Sequence, residues 1–342
     1  MSENRSEISS LGEFGLINHL AGKIKLTNPT TLKGIGDDAA VVKAGDQSLL
    51  LTTDMLLEGI HFDLRYVPLR HLGYKAIAVN VSDIAAMNGK PTQALVGLGI
   101  SNRFSLEAVE ELYEGMRMAC SDYGVDLVGG DTSTSASGLV LSITLTGFAD
   151  PDQVVYRSGA GNNDIICVTG DLGGAYAGLQ ILEREKEVFL TNPEAQPDLE
   201  KWEYVVGRQL KPNARMDIIH ELAELKVLPT SMIDVSDGLA SELFHIATAS
   251  GLGVKIFEDK IPIDHQTYET AIEFKMDPIT LALNGGEDYE LLFTVRQSDL
   301  EKIKNHPDIH LIGHMHAAKG EHVMITKAGH QISLKAQGWT HF

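Results

Sequence analysis

The sequence predicts an α+β fold in two domains, and three observations support this. Strand-like apolar runs and segments with helical spacing are mixed along the chain, without the strict alternation of a doubly wound sheet. Around residues 151–161 the composition turns to Pro, Asp, Ser, Gly and Asn, which is typical of a domain boundary. The 342 residues are enough for two domains that each bury a core. We therefore expect an N-terminal domain of residues 1–153 and a C-terminal α/β domain of residues 154–342.

The first strong elements are a strand and a long helix. Residues 48–53, SLLLTT, form an apolar run that ends at Asp54, as expected of a buried strand. Residues 69–88 lack proline and repeat apolar side chains at helical spacing before a glycine and a proline stop the helix. Asn80 and Asp83 lie three positions apart, so this helix presents both on one face.

Three strands and a second helix complete the predicted elements of the first half. The strand at 93–100 is followed by a helix that begins at the N-cap residue Ser105 and ends at Gly124. Residues 126–131 and 138–149 are again strand-like, and the second of them nearly alternates apolar and polar residues.

The second half begins with another apolar run, DIICVTG, at 164–170. The glycine-rich turn GDLGGAYAG at 170–178 leads into a helix, and its spacing does not match a dinucleotide-binding loop. Residues 185–203 are charged and interrupted by proline, which predicts an exposed excursion. Residues 285–295, GGEDYELLFTV, are a turn that enters a strand.

Composition excludes several classes of protein. The net charge of −19 argues against a nucleic-acid partner, although acidic sites bind phosphates through divalent cations. The two cysteines, Cys120 and Cys167, suggest neither a disulfide framework nor a zinc site. The start MSENRSEISS lacks the apolar core of a signal peptide, and no apolar run is long enough to span a membrane. We expect a cytoplasmic protein that binds neither nucleic acid nor membrane.

Six short acidic motifs are the candidates for chemistry. Each one alone has a structural explanation, because Asp beside Gly, Ser or Thr forms turns and caps helices. Most of the six abut apolar segments, and carboxylates at buried edges are costly unless they are paired. Lys and Arg are nearly absent around them. The motifs are GIGDDAA (34–40), LTTD (51–54), NVSD (80–83), GGDTS (129–133), IDVSD (233–237) and GGEDYEL (285–291).

Divalent cations are the natural counter-charges for this set. Mg²⁺ fits best, because it takes hard oxygen ligands from one or two carboxylates and from substrate phosphates. Six carboxylates exceed the needs of one ion, so several Mg²⁺ ions bridging a polyphosphate are expected. The 13 histidines are scattered and indicate surface residues rather than a transition-metal site. The GxxxxGK[ST] loop and the protein-kinase motifs are absent from the sequence.

The motifs resemble those of the thiamine-monophosphate kinase family, within the superfamily of aminoimidazole ribonucleotide synthetase and selenophosphate synthetase. The resemblance runs from about residue 11 to the C-terminus, with the motifs in order. The acidic motifs indicate the superfamily, whereas GGEDYELLFT and the terminal GWTHF narrow it to the kinase. The other matching stretches are LTTDMLLEGIHF, YKAIAVNVSDIAAMNGKP, VGGDTS, YRSGA and IDVSDGLAS.

The resemblance implies three sets of site residues. The implied Mg²⁺ ligands are Asp38, Thr52, Thr53, Asp54, Asp83, Asp131, Asp234 and Asp237. The implied ATP contacts are Tyr113, Gly130, Asp131, Arg157 and Ser236. The implied substrate contacts are His61, Glu287 and Trp339. Three of these residues also have a structural explanation: Tyr113 as a core aromatic, Glu287 as a turn residue and Trp339 as an anchor of the tail.

The implied reaction is direct in-line transfer of the γ-phosphoryl group of ATP to thiamine monophosphate, giving thiamine diphosphate and ADP. The implied assembly is a homodimer formed through the sheet of the N-terminal domain. Two alternatives stay open. One is another enzyme of the superfamily, although residues 1–36 contain no cysteine of the kind that selenophosphate synthetases carry. The other is an inactive Mg²⁺–nucleotide binding scaffold.

Overall fold

The computed structural model describes residues 12–194, 197 and 199–336. The predicted substrate residue Trp339 lies outside the described residues. The first group of elements precedes residue 150 and contains all strands of one sheet. Its elements are α1 (Gly12–Ala21), β1 (Thr31–Lys33), β2 (Ala40–Ala44), β3 (Gln47–Leu57), α2 (Leu69–Ala86), β4 (Lys90–Ile100), α3 (Leu106–Tyr123), β5 (Asp126–Thr134) and β6 (Val140–Ala149).

The second group of elements contains all strands of a second sheet. Its first elements are β7 (Ile165–Thr169), α4 (Gly174–Thr191), α5 (Glu203–Leu210), α6 (Met216–Glu224), β8 (Ser231–Asp234), α7 (Leu239–Ser250) and β9 (Gly253–Phe257). Those that follow are α8 (His265–Glu273), α9 (Pro278–Asn284), β10 (Leu291–Val295), α10 (Leu300–Ile303), β11 (Ile309–His316), β12 (His322–Ile325) and β13 (Gln331–Ser333).

The two sheets follow one another along the chain. The first has the strand order β1-β2-β3-β6-β4-β5, and the second has the order β13-β12-β9-β11-β7-β10-β8. Most neighbouring strands are antiparallel, with parallel pairing between β4 and β5 and between β9 and β12. Two separate, mainly antiparallel sheets with helices confirm the predicted α+β class with two domains. An all-parallel sheet would instead have indicated an α/β fold.

Helix α2 is buried almost all round and positions two site residues, Asn80 and Asp83. It packs against β3, β6, α3 and β8, and 14 of its 18 residues are buried. The close approach of α2 to α3 depends on two glycines. A Cβ added at Gly73 would lie 1.9 Å from the Leu112 carbonyl oxygen, and one at Gly115 would lie 1.8 Å from that of Arg70.

Replacing Gly115 with Ala is expected to destabilise the protein by about 2 kcal/mol or more, because the helices must separate to admit the methyl group. Gly207 in α5 offers a matched control, since a Cβ there meets no atom within 4 Å. Gly207→Ala should be neutral or stabilising by up to about 1 kcal/mol. Urea unfolding measures both values, and equal stability of the two variants would contradict the close packing of α2 on α3.

The predicted helix boundaries are confirmed at the second helix. Ser105 is the N-cap of α3 and accepts a hydrogen bond from the Ala108 N–H, and Gly124 ends the helix in the left-handed conformation. The expectation for residues 185–203 was partly wrong. Helix α4 continues to Thr191, and Trp202 is buried with 3% of its surface exposed. The charged residues of that segment concealed its apolar anchor.

The predicted strand end at Asp54 was also wrong. Strand β3 continues to Leu57, so Asp54 lies within it. Asp131, likewise expected at a strand end, lies inside β5. Both strands continue because residues beyond the two aspartates also pair with a neighbouring strand. Leu57 of β3 pairs with Val140 of β6, and Thr134 of β5 pairs with Ile100 of β4.

Candidate active site

Four aspartates from separate parts of the chain form the centre of the site. Carboxylate oxygens of Asp38, Asp83 and Asp234 lie within 4.8 Å of one another. Asp54 is their neighbour, because its charge contributes to the raised pKa of Asp83. Asp38 precedes β2, Asp54 lies in β3, Asp83 lies in α2 and Asp234 ends β8. The two sheets thus contribute to a single acidic cluster, which we define as these four residues.

Burial gives the cluster its unusual proton affinity. Burial raises the pKa of Asp38 to about 7, although the nearby Arg157 opposes the rise. Burial, with the charge of Asp38, raises the pKa of Asp54 to about 6. Burial also raises the pKa of Asp234 to about 6 and that of Asp83 well above its usual range. Four carboxylates this close cannot all ionise without a counter-charge.

Neighbouring hydroxyl and amide groups orient the carboxylates. The Thr52 hydroxyl donates to Asp83 Oδ2, and the Ser82 hydroxyl donates to Asp234 Oδ2 at 2.6 Å. The Asp54 N–H donates to Asn80 Oδ1 at 3.2 Å. Thr52 was a predicted site residue, whereas Ser82 and Asn80 were not assigned roles although both belong to the NVSD motif.

Arg157 contacts the cluster through Asp38. Its Nη2 donates to Asp38 Oδ1 at 2.6 Å and its Nε donates to the same oxygen at 3.2 Å. The other oxygen of Asp38, Oδ2, is buried and has no hydrogen-bond partner in the described part of the chain. A buried carboxylate oxygen without a partner, beside two further carboxylates, fits the hard oxygen donor set that Mg²⁺ takes.

The turns at 235–237 and 285–289 pack directly against each other. The Glu287 N–H donates to the Ser236 carbonyl at 2.7 Å, and the Tyr289 N–H donates to the Val235 carbonyl at 2.9 Å. Glu287 and Tyr289 both have positive φ, which costs free energy for residues with a side chain. Burial, with the charges of Glu287 and of the cluster residues Asp54, Asp234 and Asp83, raises the pKa of Tyr289.

Ser236 and Asp237 do not cap the helix that follows them. The N-cap of α7 is Gly238, and no side chain hydrogen-bonds to the first turn. The Asp237 N–H instead donates to Glu242 Oε1 at 3.0 Å. The capping explanation for the IDVSD motif is therefore wrong, and the first-turn N–H groups of α7 begin beside the cluster, where they favour anions.

Glu287 has two partners that sequence reasoning missed. Lys75 Nζ lies 2.8 Å from Glu287 Oε1, and Gln209 Nε2 donates to Glu287 Oε2 at 2.7 Å. Lys75 lies in the motif that contains Asn80, five residues earlier, so the sequence already placed both residues on the same predicted helix. Gln209 follows the segment that was expected to be an exposed excursion, and no sequence motif marked it as a site residue. His61, the other described substrate residue, accepts a hydrogen bond from the Leu57 N–H at Nδ1, 3.0 Å away.

The structure does not bring every predicted site residue to the cluster. The Thr53 side chain is exposed on the sheet face opposite Thr52 and donates to the Ile143 carbonyl, because side chains alternate along a strand. Asp131 and Gly130 lie in the edge strand β5, three strands from β3 and so about 14 Å away. Tyr113 is half-buried and packs against the core.

Comparison with known proteins gives two matches to protein families. Residues 36–149 match the family described as "AIR synthase related protein, N-terminal domain", and residues 161–326 match "AIR synthase related protein, C-terminal domain". The "Thiamine-monophosphate kinase" of Aquifex aeolicus (strain VF5) is 36% identical over 336 residues, covering 98% of this chain and 99% of the relative. That of Bacillus subtilis (strain 168) is 35% identical, covering 97% and 100%.

The chain belongs to the thiamine-monophosphate kinase family. The resemblance found in the motifs is thus confirmed over nearly the full length. A solved structure described as "AaThiL complexed with AMPPCP and TMP" has a TM-score of 0.84 and 33% identity, covering 99% of this chain and all of that one. Within the described residues, none of this family member's helices has the length and apolar character to cross a membrane.

Proposed function

We propose that the protein transfers the γ-phosphoryl group of ATP to thiamine monophosphate, forming thiamine diphosphate and ADP. The observation that carries this proposal is the acidic cluster, in which a buried oxygen of Asp38 lacks a partner beside Asp83 and Asp234. Nearly full-length relatives are named thiamine-monophosphate kinases, and a solved relative holds AMPPCP and TMP. Four carboxylates carry more negative charge than the Arg157 guanidinium in contact with Asp38 can offset, which suits a substrate that arrives with Mg²⁺.

The residues of the cluster would hold several Mg²⁺ ions. Asp38, Asp54, Asp83 and Asp234 supply the oxygens, and Asp237 lies on the adjoining turn. Bound Mg²⁺ would neutralise the charges on donor and acceptor phosphates. Without such screening, one pair of unit charges 4 Å apart repels by about 4 kcal/mol at an effective dielectric of 20. That is roughly three decades in rate for each pair.

The chain's other residues position the two substrates in line. Arg157 provides a guanidinium at the edge of the cluster for the phosphates of ATP, and Ser236 lies beside the first-turn N–H groups of α7. Glu287 and His61 would contact the acceptor. No side chain need remove a proton, because a phosphate oxygen of the acceptor is already ionised near neutral pH. Positioning and charge neutralisation therefore account for the catalysis.

The purified protein with ATP, Mg²⁺ and thiamine monophosphate should form thiamine diphosphate and ADP in equal amounts. Chromatography of both products measures this ratio, with thiamine monophosphate omitted in the control. ADP release that does not depend on thiamine monophosphate would favour another enzyme of the superfamily. Nucleotide binding with no turnover would favour the inactive scaffold.

Metal removal gives a separate prediction. EDTA should abolish the activity, and excess Mg²⁺ should restore it more steeply than one ion per ATP would require, because the cluster offers ligands for several ions. Initial rates against free Mg²⁺ at a fixed concentration of Mg²⁺–ATP measure this dependence. Full activity in EDTA would exclude a metal cluster.

We also propose that the protein is a homodimer formed through its first sheet. Leu95 and Val128, on β4 and β5, are exposed apolar residues, and exposed patches of this kind are typical of interfaces. In their own chain, Asp131 and Gly130 lie away from the acidic cluster. Pairing of two copies through this sheet would bring these two residues to the cluster of the partner. The predicted nucleotide contacts on β5 would then act on the partner's site.

A charged substitution at the sheet should separate the two copies. Leu95→Glu with Val128→Glu is expected to give a monomer in light scattering and to lower kcat at least about 10-fold, because a desolvated carboxylate opposes the contact. Ile272→Glu, at an exposed apolar position of α8, is the matched control and should leave a dimer. A wild-type monomer with full activity would contradict the proposal.

A further inference from the structure

A narrow recess adjoins the Lys75–Glu287 pair. It is lined by His61, Tyr66, Lys75 and Gln209, with Phe62 and Leu210 among its apolar walls, and we call it the Gln209 recess. Its free space accommodates about one water-sized group. Sequence reasoning assigned a role only to His61 among these residues, so the recess is otherwise unexplained.

The amide of Gln209 is held in one orientation. Its Nε2 donates to Glu287 Oε2 at 2.7 Å, and a carboxylate accepts hydrogen bonds but cannot donate them when ionised. The nitrogen therefore faces Glu287. Lys75 Nζ contacts both Glu287 Oε1, at 2.8 Å, and the Gln209 carbonyl, at 3.2 Å. This lysine holds the backbone of Gln209 and the carboxylate that orients its side chain.

The remaining amide oxygen of Gln209 has no partner. Gln209 is 94% buried, and its Oε1 has no hydrogen-bond partner among the described residues. The neighbouring Tyr66 hydroxyl, by contrast, donates to Glu183 Oε1 at 2.8 Å. A buried acceptor without a partner is costly, and the fixed amide cannot rotate towards solvent. The recess therefore suits an occupant that carries a hydrogen-bond donor.

We propose that Gln209 determines acceptor specificity by accepting a hydrogen bond from the exocyclic amino group of an aminopyrimidine ring. This inference rests on the proposed function, because thiamine monophosphate carries such a ring. An amino group is a donor of the size that the recess accommodates. The Glu287 turn is bonded to the Ser236 turn, which directly follows Asp234 of the acidic cluster.

The test compares thiamine monophosphate with the analogue in which an oxo group replaces the exocyclic amino group. Calorimetry measures the Kd of each, and turnover is measured separately. The wild-type protein should bind the amino form about 10- to 100-fold more tightly, because an oxo group sets an acceptor against Gln209 Oε1. Gln209→Met keeps the side-chain length without the acceptor and should reduce this preference to about 3-fold or less. The KM for ATP should stay unchanged.

Tyr66→Phe is the matched control, since it alters the same recess at a hydroxyl that already has a partner, and it should keep the preference. Equal affinity of the wild-type protein for both compounds would overturn the inference even if Gln209→Met did not fold. A folded Gln209→Met protein with the wild-type preference would overturn it too, leaving a water molecule as the occupant. Failure of the proposed function would give a different result: the protein would bind the amino form preferentially but form no thiamine diphosphate.

Discussion

Replacing Asp83 with Asn is expected to lower kcat about 10³-fold while the protein stays folded. Asp83 lies at the centre of the acidic cluster, within 4.8 Å of ligand atoms on Asp38 and Asp234, and Thr52 orients its carboxylate. Loss of this charge removes a ligand that would bridge metal ions. The resulting loss of screening for one phosphate pair is about 4 kcal/mol, which is roughly three decades in rate.

The same substitution should make the metal-free protein more stable. Burial and the charges of Asp54, Asp234 and Asp38 raise the pKa of Asp83 well above its usual range, so its ionised form is unfavourable in the folded state. A neutral amide removes that repulsion. Steady-state rates and thermal unfolding with and without Mg²⁺ measure both effects. The opposite signs for activity and stability distinguish a metal ligand from a residue that only supports the fold.

Asp152→Asn provides the control for Asp83→Asn. Asp152 is exposed in the segment between the two sheets and lies outside the cluster. Its substitution should change neither kcat nor stability measurably. An Asp83→Asn enzyme that retains near-normal turnover would show that the cluster does not carry the reaction.

The metal-free protein should lose about 4 kcal/mol or more of its free energy of unfolding as the pH rises from about 4 to about 7. The pKa is about 7 for Asp38 and about 6 for Asp54 and Asp234 in the folded state. An unfolded aspartate has a pKa of about 3.9, so the folded state binds more protons in this window. Because the folded state binds more protons, the free energy of unfolding falls as pH increases.

Saturating Mg²⁺ should remove most of this loss, because cations stabilise the ionised carboxylates and bind only the folded cluster. Urea titrations at several pH values, in EDTA and in Mg²⁺, measure the effect. The double variant Asp38→Asn with Asp234→Asn should show a flatter profile in EDTA, since two of the titrating groups are gone. A wild-type profile that is flat from pH 4 to 7 in EDTA would mean that these carboxylates do not interact as the structure indicates.

Sequence alone predicted several local features and the residues of the acidic cluster. The helix that carries Asn80 and Asp83 was predicted because apolar residues recur at helical spacing without a proline. Ser105 and Gly124 marked the ends of α3 because caps depend on a few neighbouring residues. The acidic motifs also identified the aspartates of the cluster, since carboxylates beside apolar runs have few explanations other than turns, caps and metals.

Only the tertiary structure decided which of those residues meet. Asp38 and Asp234 are distant in sequence, and β-sheet pairing and the packing of α2 bring them together. Local patterns carry no information on such contacts, so Asp131 was expected at the same centre although its strand lies three positions away in the sheet. The pairing of Glu287 with Lys75 and Gln209 was undetectable for the same reason. Residue types determine which chemistry is possible, whereas long-range packing determines which atoms share a site.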